Sequence, residues 1–265
     1  MDVKSLYTVI PNDCGLQALA YFLDKRAVKE PSTPTLTRLA ELVLTLNSFS
    51  FNNEYYRQLG GVAMGSRMGP NYPCLFVGFV EQQIREQYTG LIPQLHKRYI
   101  DDIAAAASCR RDELEDFIDF VSNFNPALQF TSTITETELP FLEMNLRISV
   151  DRIRTSVFYK ETDTHNYLHF SSFHRDHCKR AIPHSQFLRP RRLCSDDDDF
   201  LIKSREMMAF LAQRGYPLTA LEQDLRKVTT IGCPVALTGS ERADTTVDRV
   251  LLVMTYHPFN SHIKR

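Results

Sequence analysis

The stretch Lys97-Arg98-Tyr99-Ile100-Asp101-Asp102-Ile103 decides the predicted fold, because it sets two adjacent carboxylates between apolar residues. Tyr99-Ile100 precedes the pair, and an Ile-Ala-Ala-Ala-Ala run follows it. This pattern is typical of two short strands joined by a tight turn. Such a hairpin holds its carboxylates at the tip, where a hard divalent cation finds the oxygen ligands that it prefers. A solvated Asp-Asp turn is the alternative interpretation.

The composition is that of an ordinary globular protein of 265 residues, with 43% hydrophobic and 24% charged residues. Because the net charge is only -1, any contact with nucleic acid depends on local clusters of basic residues. Six cysteines without a CxxC pair indicate reduced thiols, so we expect an intracellular protein. Neither a signal peptide nor a membrane span is predicted, and no membrane partner is expected.

Ahead of the Asp-Asp hairpin, the chain mixes helical and extended patterns. We predict the following elements: a strand over 2–10, helices over 14–25 and 34–47, and a hairpin over 49–59 around Asn52-Asn53. The segment from Gly60 to Pro70 holds four of the ten glycines and leads into a further helix. A glycine-rich loop before a helix N-terminus can hold a phosphate, although it can also be a plain turn.

After the hairpin, Ser108 is predicted to cap a helix that ends at Phe124. Strands are predicted over 128–135 and 152–159, with a short hairpin over 139–146 between them. Since strands and helices do not alternate regularly, the pattern indicates the α+β class. We expect an antiparallel sheet with helices packed on one face over residues 1–160.

The composition changes near residue 161, where histidine and arginine become frequent. We predict helices over 174–182, 196–214 and 218–227, with Ser195 capping the second and Gly215 ending it. Short helices around a basic turn are typical of a helix-turn-helix unit, here over 161–228. Residues 229–265 form a tail or connector with a weak strand over 250–255. The histidines and Cys178 of this region do not have a standard zinc spacing, so a zinc site stays an open alternative.

Asp2 lies beside the hairpin if the strand that carries Asp2 pairs with a strand of the Asp101-Asp102 hairpin. Three carboxylates in one place repel one another unless cations lie between them. Two divalent ions about 4 Å apart are a known arrangement for in-line phosphoryl displacement. The sequence therefore predicts a metal site made by Asp2, Asp101 and Asp102.

Several motifs together resemble the reverse transcriptase of Penelope-like retroelements. The resemblance covers nearly the whole chain in order: Asp2 to Thr8, Gly61 to Pro70, Tyr99-Ile100-Asp101-Asp102, Leu139-Pro140-Phe141-Leu142, Tyr167-Leu168-His169, Ile182 to Gln186, Arg192-Leu193-Cys194-Ser195 and Arg214-Gly215-Tyr216-Pro217. It implies a reverse-transcriptase palm followed by a small helical, helix-turn-helix-like thumb segment. The implied activity is RNA-directed DNA synthesis from deoxynucleoside triphosphates on an RNA template and a DNA primer, with nuclear localisation.

The resemblance also implies roles for single residues. Asp2 and Asp101 would be the main metal ligands and Asp102 the third catalytic carboxylate, and the three would bind two Mg2+ or Mn2+ ions. The implied nucleotide-binding residues are Val3, Tyr7, Met64 and Gly65. The implied nucleic-acid contacts are Lys97, Arg98, Tyr99, Arg189, Arg191 and Arg192.

The chain also departs from that family's pattern. Only Met1 precedes Asp2, where the family has a fingers subdomain, and no GIY-YIG endonuclease segment follows Tyr256-His257-Pro258. We therefore expect a palm and thumb truncated at both ends. The alternative function is a catalytically inactive nucleic-acid-binding remnant, and a polymerase of group II introns or telomerase is a third interpretation. The oligomeric state is left open.

Overall fold

A computed structural model describes residues 1–150 and 152–238, which belong to two compact units. The first unit is Met1–Ile134, and the second begins at Thr135. The sequence prediction places the domain boundary at residue 160 instead. The difference arises because the chain between 135 and 160 forms a separate small sheet that belongs to the second unit.

The first unit combines helices with an antiparallel sheet. Its elements are β1 (Asp2–Val3), α1 (Leu6–Val9), α2 (Asn12–Asp24), α3 (Thr33–Thr45), β2 (Ser48–Phe51), β3 (Glu54–Arg57), α4 (Asn71–Gln87), β4 (Leu95–Tyr99), β5 (Asp102–Ala106), α5 (Arg111–Phe124) and β6 (Phe130–Thr131). Strands β2 and β3 form their own ribbon around Asn52 and Asn53, which both have positive φ. The predicted hairpin at this position is therefore confirmed.

The main sheet has the strand order β4-β5-β1-β6, and every neighbouring pair in it is antiparallel. Tyr99 and Asp102 form the last pair between β4 and β5, so Ile100 and Asp101 make a two-residue loop. This confirms the predicted Asp-Asp hairpin.

One face of this sheet packs on the helices. Val3 pairs with Phe130, and both lie in the main core cluster with Phe76 and Val80 from α4 and Phe117 from α5. Since successive strand residues point to opposite faces, the neighbours of these core residues point away from the helices. The expected α+β class, with antiparallel strands and helices packed against them, is therefore confirmed.

Three predictions for the first unit are wrong in detail. The strand predicted over 2–10 ends at Val3, because Ser5 adopts φ 51° and the short helix α1 buries Leu6. Ser108 does not cap α5; the carboxylate of Glu113 instead accepts a hydrogen bond from the Arg110 N–H at the helix start. The strand predicted over 128–135 is reduced to the two residues of β6.

The second unit joins a small sheet to a helical region. Its described elements are β7 (Glu138–Phe141), β8 (Met144–Ile148), β9 (Ile153–Val157), α6 (Asp176–Leu193), α7 (Asp197–Gln213), α8 (Leu218–Thr229) and α9 (Cys233–Thr238). Strands β7, β8 and β9 are antiparallel neighbours, as the sequence pattern predicts for the first two. The strand predicted over 250–255 lies outside the described residues.

The helix α6 is longer than predicted, since it continues past residue 182 through two prolines to Leu193. A proline removes one helical hydrogen bond and normally disfavours a helix interior. Here Lys179, Pro183, Phe187 and Pro190 are all buried and follow one side of the helix. Packing of this stripe therefore outweighs the local preference to break the helix.

The C-terminal end of α7 could be predicted from the local sequence. Gly215 has φ 83°, its N–H donates to the Ala212 carbonyl, and the Tyr216 N–H donates to the Leu211 carbonyl. This is the Schellman arrangement, in which a glycine accepts the left-handed conformation after a helix. Ser195 does not cap α7, because its hydroxyl accepts a hydrogen bond from the Thr155 N–H instead.

Within the described parts of the chain, no helix is both long and apolar enough to cross a membrane.

Candidate functional site

Asp2 and Asp102 lie opposite each other on the neighbouring strands β1 and β5. The Val3 N–H donates to the Asp101 carbonyl (3.1 Å), and the Ile103 N–H donates to the Met1 carbonyl (2.8 Å). These bonds flank the aspartates, which therefore form a non-hydrogen-bonded pair, the kind in which Cα atoms are about 4.5 Å apart and side chains are closest. The fold thus sets two carboxylates side by side.

The paired carboxylates lie on the face of the sheet that points away from the helical core. Both side chains are half-buried, whereas the neighbouring Val3 and Ile103 are buried. Lys97 and Tyr99 share this open face, since Tyr99 pairs with Asp102 and Lys97 lies two residues earlier. Both are exposed, so they remain candidates for contact with a substrate on this face.

The positive charge of the Met1 amino group lies close to the two aspartates. Burial lowers the pKa of this amine, while the charges of Asp102 and Asp2 raise it. The amine donates a hydrogen bond to the Ile103 carbonyl at 2.8 Å. Burial is the larger influence, so the pKa of the amine is lowered overall despite the two neighbouring carboxylates.

Asp101 occupies the loop next to this pair. Ile100, the other loop residue, has φ 57°, a region that β-branched residues rarely adopt. Such strained residues persist where their surroundings hold them, and they cluster at functional sites. Within the described residues, however, no group of three or more His, Cys, Asp or Glu side chains is arranged to hold a metal ion. The three predicted metal ligands are therefore a facing pair with a third carboxylate beside it in the loop.

Arg98 lies on the opposite, helix-facing side of β4, so the structure places it away from the paired carboxylates. Its guanidinium binds both carboxylate oxygens of Glu81 and donates to two backbone carbonyls, those of Ile100 and Cys74. The predicted role of Arg98 as a nucleic-acid contact is not supported by this placement, because its donors are used inside the unit.

The glycine-rich loop lies against the segment that follows β1. The Val62 N–H donates to the Tyr7 carbonyl (2.8 Å), and the Gly61 N–H donates to the Ile10 carbonyl (3.2 Å). Gly61 has φ 71°, and a Cβ atom there would lie 2.3 Å from the Tyr7 oxygen. This glycine is therefore required by a close backbone approach.

The predicted nucleotide-binding residues are in different environments. Met64 and Gly65 are exposed in the loop, and nothing lies within 4 Å of a Cβ built at Gly65. Tyr7 is half-buried and packs against the core, and Val3 is fully buried. The fold therefore joins the loop to α1, while the Val3 side chain is directed into the core.

In the second unit, the three arginines predicted to bind nucleic acid all make contacts within the unit. Arg189 donates to Glu143 (3.0 Å), and Arg192 donates to the Ala236 carbonyl (2.8 Å). Arg191 is largely buried, pairs with Asp197 and lies over the Phe200 ring. Their first role is to hold α6 against its neighbours, which the sequence pattern did not reveal.

The helices α7 and α8 are joined by the four residues Arg214 to Pro217, a short glycine-containing turn of the kind found in helix-turn-helix units. Leu221 and Val228 bury one side of α8, while Thr219, Gln223 and Arg226 are exposed on the other. Arg226 makes no ion pair within the described part of the chain. The sequence analysis did not select Arg226 as a nucleic-acid contact, although its place on the polar side of an amphipathic helix is a usable signal.

The segment around Cys178 provides few potential zinc ligands close to one another. Cys178 Sγ lies 3.3 Å from His177 Nε2, and His174 Nδ1 lies 3.3 Å from the Ser172 hydroxyl. These contacts do not bring a third ligand to the same point.

Comparison with known families agrees with this geometry in one region. Residues 166–225 match the family model described as an animal helix-turn-helix domain. The match spans α6, α7 and the first part of α8. No curated protein matches the chain. The comparisons thus support a helix-turn-helix domain, and with it nucleic-acid binding, in the second unit.

Proposed function

We propose that this chain derives from, and retains the core of, an RNA-directed DNA polymerase of the Penelope-like type. The observation that carries the proposal is the pairing of Asp2 with Asp102 on the open face of an antiparallel sheet whose other face packs on helices. Carboxylates on neighbouring strands of such a sheet are what the resemblance to a reverse-transcriptase palm implies. The neighbouring Asp101 in the hairpin loop supplies a third.

The carboxylate oxygens of Asp2 and Asp102 are the kind of ligand that a hard divalent cation such as Mg2+ or Mn2+ prefers, and Asp101 would approach as a third ligand when an ion binds. When bound, such ions lower the pKa of an attacking hydroxyl and neutralise charge on the transferred phosphate. Lys97 and Tyr99 lie on the same face, where they would contact a primer or template backbone. The exposed loop around Met64 and Gly65 would approach the nucleotide.

The test is primer extension on an RNA template with Mg2+ or Mn2+ and all four deoxynucleoside triphosphates. We expect extension by the native chain and its loss in Asp101→Asn and Asp102→Asn. Asp119→Asn, an exposed aspartate on α5, is the matched control and keeps the native rate. Extension by Asp102→Asn at the native rate would contradict the assignment.

The match to the helix-turn-helix family favours a second candidate function, binding of nucleic acid without synthesis. In helix-turn-helix proteins the second helix enters the major groove of DNA, and α8 occupies that position here. Its exposed Gln223 and Arg226 would face the duplex. A chain that binds but does not extend a primer would be a polymerase only by descent.

This candidate is tested by measuring duplex DNA affinity as a function of salt concentration. Removal of Arg226 by substitution to alanine should reduce the salt slope by about 1, since one phosphate contact is lost. Lys160→Ala, an exposed cation outside the matched region, should leave the slope unchanged. Equal slopes for the native chain and both variants would exclude α8 as the binding helix.

A further inference from the structure

The guanidinium of Arg98 joins three parts of the first unit. Its Nε and Nη2 atoms donate to the two carboxylate oxygens of Glu81 at 2.9 and 3.0 Å. Nη2 also donates to the Cys74 carbonyl at 3.2 Å, and Nη1 donates to the Ile100 carbonyl at 3.0 Å. An arginine has five N–H donors in a fixed fork, and these contacts use most of them. Arg98 therefore connects α4 directly to the hairpin loop.

The Ile100 carbonyl that Arg98 holds belongs to the strained residue of this loop, with φ 57°. The next carbonyl, that of Asp101, accepts a hydrogen bond from the Val3 N–H on the neighbouring strand. The two successive loop carbonyls are thus held from different directions, by α4 through Arg98 and by β1. These contacts fix the backbone positions from which the side chains of Asp101 and Asp102 extend.

Burial strengthens the ion pair between Arg98 and Glu81. The Arg98 and Glu81 side chains are only 13% and 23% exposed, so solvent screens their interaction weakly. A bidentate arginine–carboxylate pair is both strong and directional. A lysine ammonium carries the same charge but cannot reproduce the fork, so it cannot bind Glu81 and the Ile100 carbonyl in the same way.

We propose that Arg98 and Glu81 are positioning residues that fix the Ile100–Asp101 loop, so that Asp102 stays opposite Asp2 and Asp101 stays beside this pair, where a divalent cation would bind. Neither residue touches substrate or metal in this role. The metal part of the inference rests on the proposed function, whereas the fixing of the loop does not.

The first readout is Mn2+ affinity, measured from the free-ion electron paramagnetic resonance signal during titration of the full chain. We expect Arg98→Lys and Glu81→Gln to weaken Mn2+ binding at least about tenfold, as loss of groups that orient metal ligands generally does. Val80→Ala removes buried volume from the same helix and leaves the hydrogen bonds of Arg98 and Glu81 in place. It lowers folding stability but leaves Mn2+ affinity unchanged, which separates positioning from general destabilisation.

The second readout is amide hydrogen exchange of the peptides that cover residues 99–103. Arg98→Lys should speed their exchange by about tenfold or more, whereas Val80→Ala and the exposed Arg85→Lys should not change it selectively. Glu81→Gln serves as the milder variant if Arg98→Lys does not fold.

The outcomes separate the two hypotheses. If the native chain binds no Mn2+ but Arg98→Lys loosens the loop, the proposed metal site fails and the loop-fixing role stands. If the native chain binds Mn2+ and both variants keep native affinity and exchange, the positioning role is overturned and the proposed function stands.

Discussion

Asp2 faces Asp102 directly across the antiparallel strands β1 and β5, in a non-hydrogen-bonded register that brings two carboxylates together. Like charges that face each other across a sheet are destabilising, by roughly 0.2–1 kcal/mol on the scale of cross-strand pairs. The nearby Met1 amine is attracted to both aspartates, but burial lowers its pKa. A bound divalent cation would offset more of the repulsion between the two carboxylates, so its effect on stability tests the proposed metal site.

The first prediction concerns stabilisation by metal. Mn2+ at about 100 times its dissociation constant should raise the free energy of unfolding of the native chain by about 2.7 kcal/mol. Asp2→Asn and Asp102→Asn should lose most of this increase, because each removes one of the facing carboxylates. Urea unfolding with and without Mn2+ measures the effect, with Asp119→Asn as control. A full increase in Asp102→Asn would exclude the pair as the ion's ligand.

The second prediction concerns the glycine-rich loop. Gly61→Ala should destabilise the first unit by at least about 1–2 kcal/mol, since alanine disfavours positive φ and its Cβ would meet the Tyr7 carbonyl. Gly65→Ala should change stability by less than about 0.5 kcal/mol, because its surroundings are open. Thermal unfolding of the two variants compares them directly. Equal losses would show that the close approach at Gly61 does not matter.

The third prediction concerns Arg191, which the sequence places among nucleic-acid contacts. Arg191→Met should destabilise the second unit by about 1–3 kcal/mol, since the Ile231 carbonyl and Asp197 lose a charged donor. Arg180→Met, an exposed position on the same helix, should cost little. Chemical denaturation followed by a probe in the second unit measures both. A stable Arg191→Met variant with weakened DNA binding would restore the sequence-based role.

The fourth prediction concerns His96 on the helix-facing side of β4. Burial lowers its pKa; Arg85, Arg98 and the chain's amino group also lower it, whereas Glu81 raises it. A folded-state pKa below the unfolded value of about 6.5 means that the neutral ring contributes stability above that pH. This contribution is lost as pH falls through the folded pKa.

The measurement for His96 is the free energy of unfolding at about pH 7.5 and about pH 5 for the native chain and His96→Gln. The decrease between the two values should be smaller in the variant. His174→Gln, at an exposed position, should show the same decrease as the native chain. A native-sized decrease in His96→Gln would contradict the assignment.

Local patterns predicted much of the secondary structure because they depend on neighbouring residues alone. The hairpin at Asp101-Asp102, the Asn52-Asn53 ribbon and the Gly215 helix end all follow from turn and capping chemistry. The predictions failed where tertiary packing decides. Helix α6 continues through Pro183 because its buried stripe packs well, and β1 ends at Val3 because Leu6 is buried in a short helix.

The candidate site also has some features that follow from local sequence and others that depend on tertiary structure. The sequence by itself determined that two adjacent aspartates lie at a tight hairpin turn and that a third aspartate lies near another strand, since turn propensity is local. Only the tertiary structure decided that Asp2 faces Asp102 rather than Asp101, because strand register is set by hydrogen bonds between distant segments. It also decided that Arg98 and Arg191 bind inside their units, since whether a basic side chain meets a carboxylate or solvent depends on what the fold places beside it.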